Sequence, residues 1–458
     1  MHRSHCLDTP SLPVFDRRRA GVLLHLASLE APLGRGGRAF IDWLAAAGFS
    51  VWQFLPLAPT GADRSPYFAR SDFAGNPALL DPAEPPADAS ERAAFAAATE
   101  SWLEDYALFE AISARCPDLP WWEWPAPLRT RELDALGRIR RECAGALERI
   151  GVAQREFFAQ WNRLRRYAHE RGVRLFGDLP FYVGPMSAET WAHPEQFQLA
   201  PDGRPAAVAG VPPDYFSALG QVWGNPLYDW DVMQRDGFAF WRARLGAQLE
   251  RLDVLRIDHF RAFAAHWAVP AGAEDARGGA WRPTPGRALL ERLRAERGTL
   301  PIVAEDLGLI TAEVTALRQM FALPGMRVLQ FGFDGSPDNP HLPARIETDS
   351  VVYTGTHDND TTLGWYRSLD EHTRGYVNRT LGVTPESMPE GMVRAALATV
   401  GQLAVIPVQD LLGLGSEARL NTPGTQSAAN WSWRLPAAAL TPQRAAHWAT
   451  INAASARV

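Results

Sequence analysis

The sequence predicts an α/β protein, a (β/α)8 TIM barrel with helical subdomain insertions in the strand-end loops. Eight short apolar, β-branched runs recur along the chain, each giving way to polar or glycine residues: Val22–Leu26, Val51–Leu57, Val173–Pro180, Val254–Phe260, Pro301–Leu307, Arg327–Phe333, Val351–Asp358 and Ala404–Leu411. Helix-like segments lie between them, at Arg38–Ala47, Gln154–Glu170, Phe238–Arg251, Gly286–Arg297 and Thr311–Phe321. Near-continuous apolar character fits strands buried on both faces, as in parallel sheets. Eight alternating units favour a closed barrel. A doubly wound open sheet usually carries a glycine-rich phosphate turn after its first strand, and Gly34, Arg35, Gly36, Gly37 does not match that fingerprint.

The spacing of the runs is uneven. More than a hundred residues separate the second from the third; they begin rich in Pro and Ala (Asp81–Thr99), pass through Trp102, Trp121, Trp122 and Trp124, and end in charged, helical sequence (Arg129–Glu148). A second long stretch, Gly184–Trp241, precedes the fourth run. Barrel enzymes accept insertions in strand-end loops, where they roof the site. With no internal repeat, low-complexity tract or clean linker, residues 1–458 read as a single catalytic barrel domain, with insertions at about 81–160 and 184–241 forming subdomains over the active-site face.

Composition narrows the function. With 46% hydrophobic residues and a formal charge of −6, the chain has ample core and no basic surface for nucleic acid or anionic lipid. Three scattered cysteines (Cys6, Cys116, Cys143) supply neither a disulfide framework nor a zinc site. No apolar stretch follows His2 and Arg3 as a signal peptide requires, and no window approaches the length of a membrane span, so a soluble, cytoplasmic protein is expected. The 17 tryptophans belong mostly to the core, although an indole is also a flat surface on which a sugar ring stacks.

Acidic residues gather at the run ends, which face one opening in a barrel. Arg256 and Asp258, two apart in extended backbone, point to one face. The guanidinium would keep the carboxylate ionised, as a nucleophile requires, although an ordinary strand-end ion pair explains the spacing equally well. Glu305 closes the fifth run; a proton donor working near neutral pH needs a raised pKa, and burial or the charge of Asp258 would raise it. Helix capping is the plainer account of neighbouring Asp306 or Thr311. The seventh run ends in Thr356, His357, Asp358, Asn359 and Asp360, groups suited to hydrogen-bonding vicinal hydroxyls or, more simply, to an Asx turn. A metal site at Asp258, His259, His357 and Asp358 is disfavoured, because the first run offers only His25 and no helical His–Glu–x–x–His occurs.

Further segments carry a resemblance: Trp52–Gln53, Leu55–Gly61 and Ser65–Tyr67; Phe73–Pro77; Gly177–Pro180; Gly220–Pro226; Gln409–Gly415; and Asn430–Leu435. Together with the carboxylate motifs, and in this order over nearly the whole chain, they resemble glycoside hydrolase family 77, the 4-α-glucanotransferases known as amylomaltases or disproportionating enzymes. Residues Arg35–Gly37 depart from the family's usual Gly–Asp–Leu–Gly element, and Phe68 and Ala69 replace a more usual polar residue after Tyr67.

The resemblance implies a retaining double displacement, with Asp258 as nucleophile, Glu305 as general acid/base and Asp358 holding hydroxyls of the donor sugar. It places Arg256, His259 and His357 around that sugar, and Tyr67, Asp178, Gln221, Trp223 and Asn225 at other substrate contacts. The stretch Ala206–Gly220 matches a loop arching over the cleft, where Tyr215 and Phe216 offer apolar cover that favours transfer to a sugar over transfer to water. The implied donors are malto-oligosaccharides and starch- or glycogen-like α-glucans, with glucose or maltose as acceptor. No cofactor or metal is expected, and neither nucleic acid nor membrane as partner. An α-glucan hydrolase and a non-catalytic glucan-binding protein are the alternatives.

Overall fold

The computed structural model describes residues 13–213 and 217–457. Its centre is a sheet of eight strands, β1 (Arg19–Leu23), β2 (Val51–Gln53), β3 (Arg174–Leu179), β4 (Val254–Ile257), β5 (Ile302–Ala304), β6 (Gly325–Val328), β7 (Ser350–Tyr353) and β8 (Leu403–Pro407). All neighbouring pairs are parallel and follow chain order, with β8 paired to β1. The sheet therefore curls round until β5 and β6 meet. There the Ala304 N–H donates to the Pro324 carbonyl at 2.9 Å. The eight expected strands are all present, several shorter than the apolar runs. The sixth run turns into a short 3-10 helix at Leu329–Gly332, and the first starts three residues early, at Arg19.

Burial separates two cores, as the pleat of a parallel strand dictates. Leu23, Val51, Phe176, Val254, Val303, Met326, Val328, Val351, Tyr353, Leu403 and Val405 fill the barrel interior. Val22, Trp52, Leu175, Leu255, Ile257, Ile302, Ala304, Val352, Ala404 and Ile406 face outward into a larger core shared with the helices. The helices Arg35–Ala46, Ala144–Glu170, Ala239–Arg251, Gly286–Arg297 and Ala312–Met320 form the outer layer. Arg35–Gly37 opens the first of these. A Cβ on Gly36 would lie 1.9 Å from the Glu30 carbonyl, so glycine is required for the close turn. Between these glycines and Gly34, the exposed Arg35 pairs with Glu30.

Helices Ala89–Thr99, Leu103–Arg115 and Leu133–Glu142 occupy the stretch between β2 and β3. Its tryptophans Trp102, Trp121 and Trp124 are buried, so here indole serves packing. Strands Ala207–Val211 and Gln221–Pro226, between β3 and β4, join Ala265–Pro270 and Ala280–Pro283, between β4 and β5, in a second, antiparallel sheet. The sequence reading did not anticipate it.

Asp306 does not cap the following helix. Thr311 occupies the N-cap position without a side-chain bond, and Asp306 instead accepts the Met326 N–H at 2.7 Å across the β5–β6 seam. Arg318 and Arg327 stand 3.4 and 3.5 Å from its other oxygen. Asp306→Ala would leave the buried Met326 N–H without its acceptor and take a carboxylate from beside two arginines, and should cost about 3 kcal/mol of stability in chemical denaturation.

Candidate active site

On four of the strands the inward-facing positions pass from apolar to polar at or just beyond the carboxyl end. Phe176 is followed by Asp178, Val51 by Gln53, Val303 by Glu305, and Val254 by Arg256 and then Asp258. Strand pleat alone brings these groups to one mouth of the barrel.

The buried Arg256 guanidinium organises them. Its register partner across β3 is Asp178, whose two oxygens accept from Nη1 at 2.8 and 2.7 Å. Nη2 donates to Asp258 at 2.8 Å. The Tyr67 hydroxyl donates to Asp178 at 2.7 Å and completes the chain of contacts. Asp258 keeps 31% of its side chain open to the cleft. Protein packed around its carboxyl raises the pKa above the ordinary value, and Arg256 pulls against that rise.

Glu305 stands on the neighbouring strand end, where its own N–H donates to the Ile257 carbonyl at 3.1 Å. Burial, reinforced by the Asp258 charge, pushes its carboxyl up to about 7, against Arg256 and two backbone donors. Those donors are the N–H of His259 at 2.7 Å and of Leu307 at 3.0 Å. His259 reaches that position with φ +54°, a left-handed conformation unusual outside glycine. A carboxyl half-protonated near neutrality, beside one tied to a guanidinium, is the division that acid/base and nucleophilic roles require.

Asp358 is held differently. Burial would raise its pKa, but His357, at 3.2 Å, and the Asn421 amide, donating at 2.7 Å, lower it to about 2. Arg419 donates to the Asp358 carbonyl at 2.7 Å. The His357 ring stacks on Tyr67, with centroids 5.3 Å apart, and Trp431 lies 6.0 Å from both. Asn421, Arg419 and Trp431 were not among the sequence-derived site residues. They arrive from the segment after β8, and only the Asn–Trp motif at Asn430–Trp431 hinted at them.

Trp223 meets His259 edge-on at 4.7 Å, and Tyr182 lies 6.2 Å from each. Burial pushes His259 down to about 3, so the imidazole is neutral, and its Nε2 has no hydrogen-bond partner in the protein. The Trp223 indole N–H donates to the exposed Gln221 at 3.1 Å. Asn225 is buried, and its amide donates to the Val183 carbonyl at 2.9 Å, so it braces the cleft wall. Tyr215 and Phe216 lie outside the described residues. Among the described residues no group of three or more His, Cys, Asp or Glu side chains is arranged to hold a metal ion.

A family model described as 4-alpha-glucanotransferase matches residues 24–89 and 83–441. The 4-alpha-glucanotransferase of Thermus thermophilus is 45% identical, over 96% of this chain and 99% of its own. The chain belongs to the 4-α-glucanotransferase family. The 4-alpha-glucanotransferase of Synechocystis is 43% identical over 92% of this chain and 94% of its own. Among solved structures, the amylomaltase from Streptococcus agalactiae in complex with acarbose superposes with a TM-score of 0.90 at 32% identity, covering 96% of this chain and all of that one. This protein is accordingly an enzyme that moves α-1,4-glucan segments from a donor malto-oligosaccharide to an acceptor sugar.

For a 4-α-glucanotransferase using Glu305 as proton donor, the acid form is present below its pKa and lost above it. The kcat/KM profile should therefore fall on the alkaline side with a limb near pH 7. With Asp258 as nucleophile, active only when ionised, its raised pKa should set the acidic limb. The limb should appear with maltotriose as donor and be absent with an activated glucosyl fluoride, whose departure needs no acid.

Proposed function

We propose that Asp258 attacks the anomeric carbon of the donor glucan while Glu305 protonates the departing glycosidic oxygen. The covalent glycosyl intermediate then passes to the 4-hydroxyl of an acceptor, glucose or maltose, as Glu305 takes up its proton. The observation that carries this reading is the contrast between neighbours: Asp258 bonded to Arg256, and Glu305 raised to about 7 beside it. Asp358, ionised through His357 and Asn421, binds ring hydroxyls of the distorted donor sugar, where hydrogen bonds that strengthen in the transition state lower the barrier. The neutral His259, packed edge-on against Trp223, shapes the wall beside that sugar, and Tyr67 and Asp178 orient Arg256. The acarbose complex of the Streptococcus agalactiae enzyme supports an oligosaccharide lying in this cleft.

Segments 81–160 and 184–241 act in this proposal as subdomains over the active-site face. The proposal includes a cytoplasmic location, supported by a chain with only three scattered cysteines.

Supplying maltotriose alone tests the reading. A ladder of longer maltodextrins with free glucose is expected; glucose and maltose without longer products would contradict transfer. Asp258→Asn should lower kcat by on the order of 10⁴-fold. Glu305→Gln should lower kcat/KM by about 10²- to 10⁴-fold on natural glucans and far less on an activated fluoride, whose departure needs no acid.

A further inference from the structure

Ten large hydrophobic side chains are exposed among the described residues, and two of them, Trp281 and Leu309, flank one buried guanidinium, that of Arg261. Trp281 lies on the second sheet. Val222, Gly210, Trp267 and Trp281 are successive cross-strand partners, so they share one face of that sheet. Ala209 and Ala268, of opposite alternation, are buried on the other. Trp281 is 39% exposed on an edge strand whose four residues are all exposed. Exposing an indole forfeits a large burial energy, which a bound ligand would recover.

The indole is also held in place. The Arg261 guanidinium lies 3.7 Å from the Trp281 ring centroid, and the Trp267 ring packs edge-on at 5.1 Å. Arg261 itself is buried and donates to the Leu309 carbonyl. Two residues before Arg261 is His259, whose N–H binds Glu305, and four residues before Leu309 is Glu305 itself. Trp281 therefore rests where the loops after β4 and β5 meet, beyond the acid/base carboxyl. An aromatic ring whose orientation is fixed before binding loses little freedom when a ligand stacks on it.

We propose that this patch, centred on Trp281, binds the continuation of an α-glucan chain on the Glu305 side of the cleft, as a remote subsite for the leaving or accepting segment. The inference rests on the transfer reading above, because the glycosidic oxygen faces the group that protonates it, and the segment attached to that oxygen extends to the Glu305 side. Sugar C–H faces match an exposed indole with the apolar Leu309 beside its guanidinium partner. A short glucan ends before reaching the patch, whereas a long one gains a contact. The subsite thus favours long chains through binding and leaves the chemical step unaltered.

Disproportionation kinetics of maltotriose and maltoheptaose, measured for the parent enzyme, Trp281→Ala and Trp281→Phe, test the proposal. Trp281→Ala should raise KM for maltoheptaose about five- to tenfold while leaving kcat, and both constants for maltotriose, within about twofold. Trp281→Phe should recover most of the lost affinity. Equal shifts for both substrates, no shift for either, or lost turnover of maltotriose would overturn it. If the parent enzyme made no transfer products, the transfer reading would fall, and titration calorimetry would then decide the subsite. Maltoheptaose binding to Glu305→Gln should weaken about five- to tenfold when Trp281→Ala is added; unchanged binding would refute the platform.

Discussion

The site depends on one buried cation. Arg256 faces inward from β4 among groups that would each be costly to desolvate alone, and it joins two of them, Asp178 from β3 and Asp258 from its own strand. The guanidinium spreads its donors over two nitrogens, Nη1 serving both Asp178 oxygens while Nη2 reaches Asp258, a span that the single nitrogen of a lysine does not cover. Because Asp178 and Arg256 are register partners, the pairing of β3 with β4 and the geometry of the site are one constraint. A slip by one residue would turn Arg256 and Asp258 into the outer apolar core.

Around that cation, three carboxylates with similar intrinsic acidity acquire different behaviour. Asp258 is raised by the protein around it and held back by Arg256. Glu305, without a direct cationic partner and beside the Asp258 charge, goes to about 7. Asp358 resists burial through His357 and Asn421 and falls to about 2. The backbone contributes as well. The left-handed turn at His259 points an N–H at Glu305 and begins the loop that carries Arg261 to Trp281.

The barrel was legible because buried parallel strands write themselves as apolar runs with polar ends, and here all eight did so. Asp258, Glu305 and Asp358 were legible as strand-end residues, and likeness to a family supplied the roles proposed for them. Other features depend on contacts that no local pattern encodes. The strands Ala207–Val211 and Ala265–Pro270 are brought together from two different loops, so their pairing has no signature at short range. Asn421 reaches Asp358 from 63 positions away, and Asp306, adjacent to Glu305 and resembling a helix cap, seals the barrel seam instead. Even the expectation that Arg256 would simply keep Asp258 charged needed the surroundings, because burial outweighs the ion pair.

The central claim is that Asp258 forms a covalent bond to the donor sugar. Incubating Glu305→Gln with α-maltotriosyl fluoride tests it most directly, since the fluoride departs without acid help while breakdown of the intermediate lacks its base. Mass spectrometry of the digested protein should find the maltotriosyl mass on the peptide bearing Asp258. Attachment to another residue, or rapid turnover with inversion and no attachment, would contradict the account.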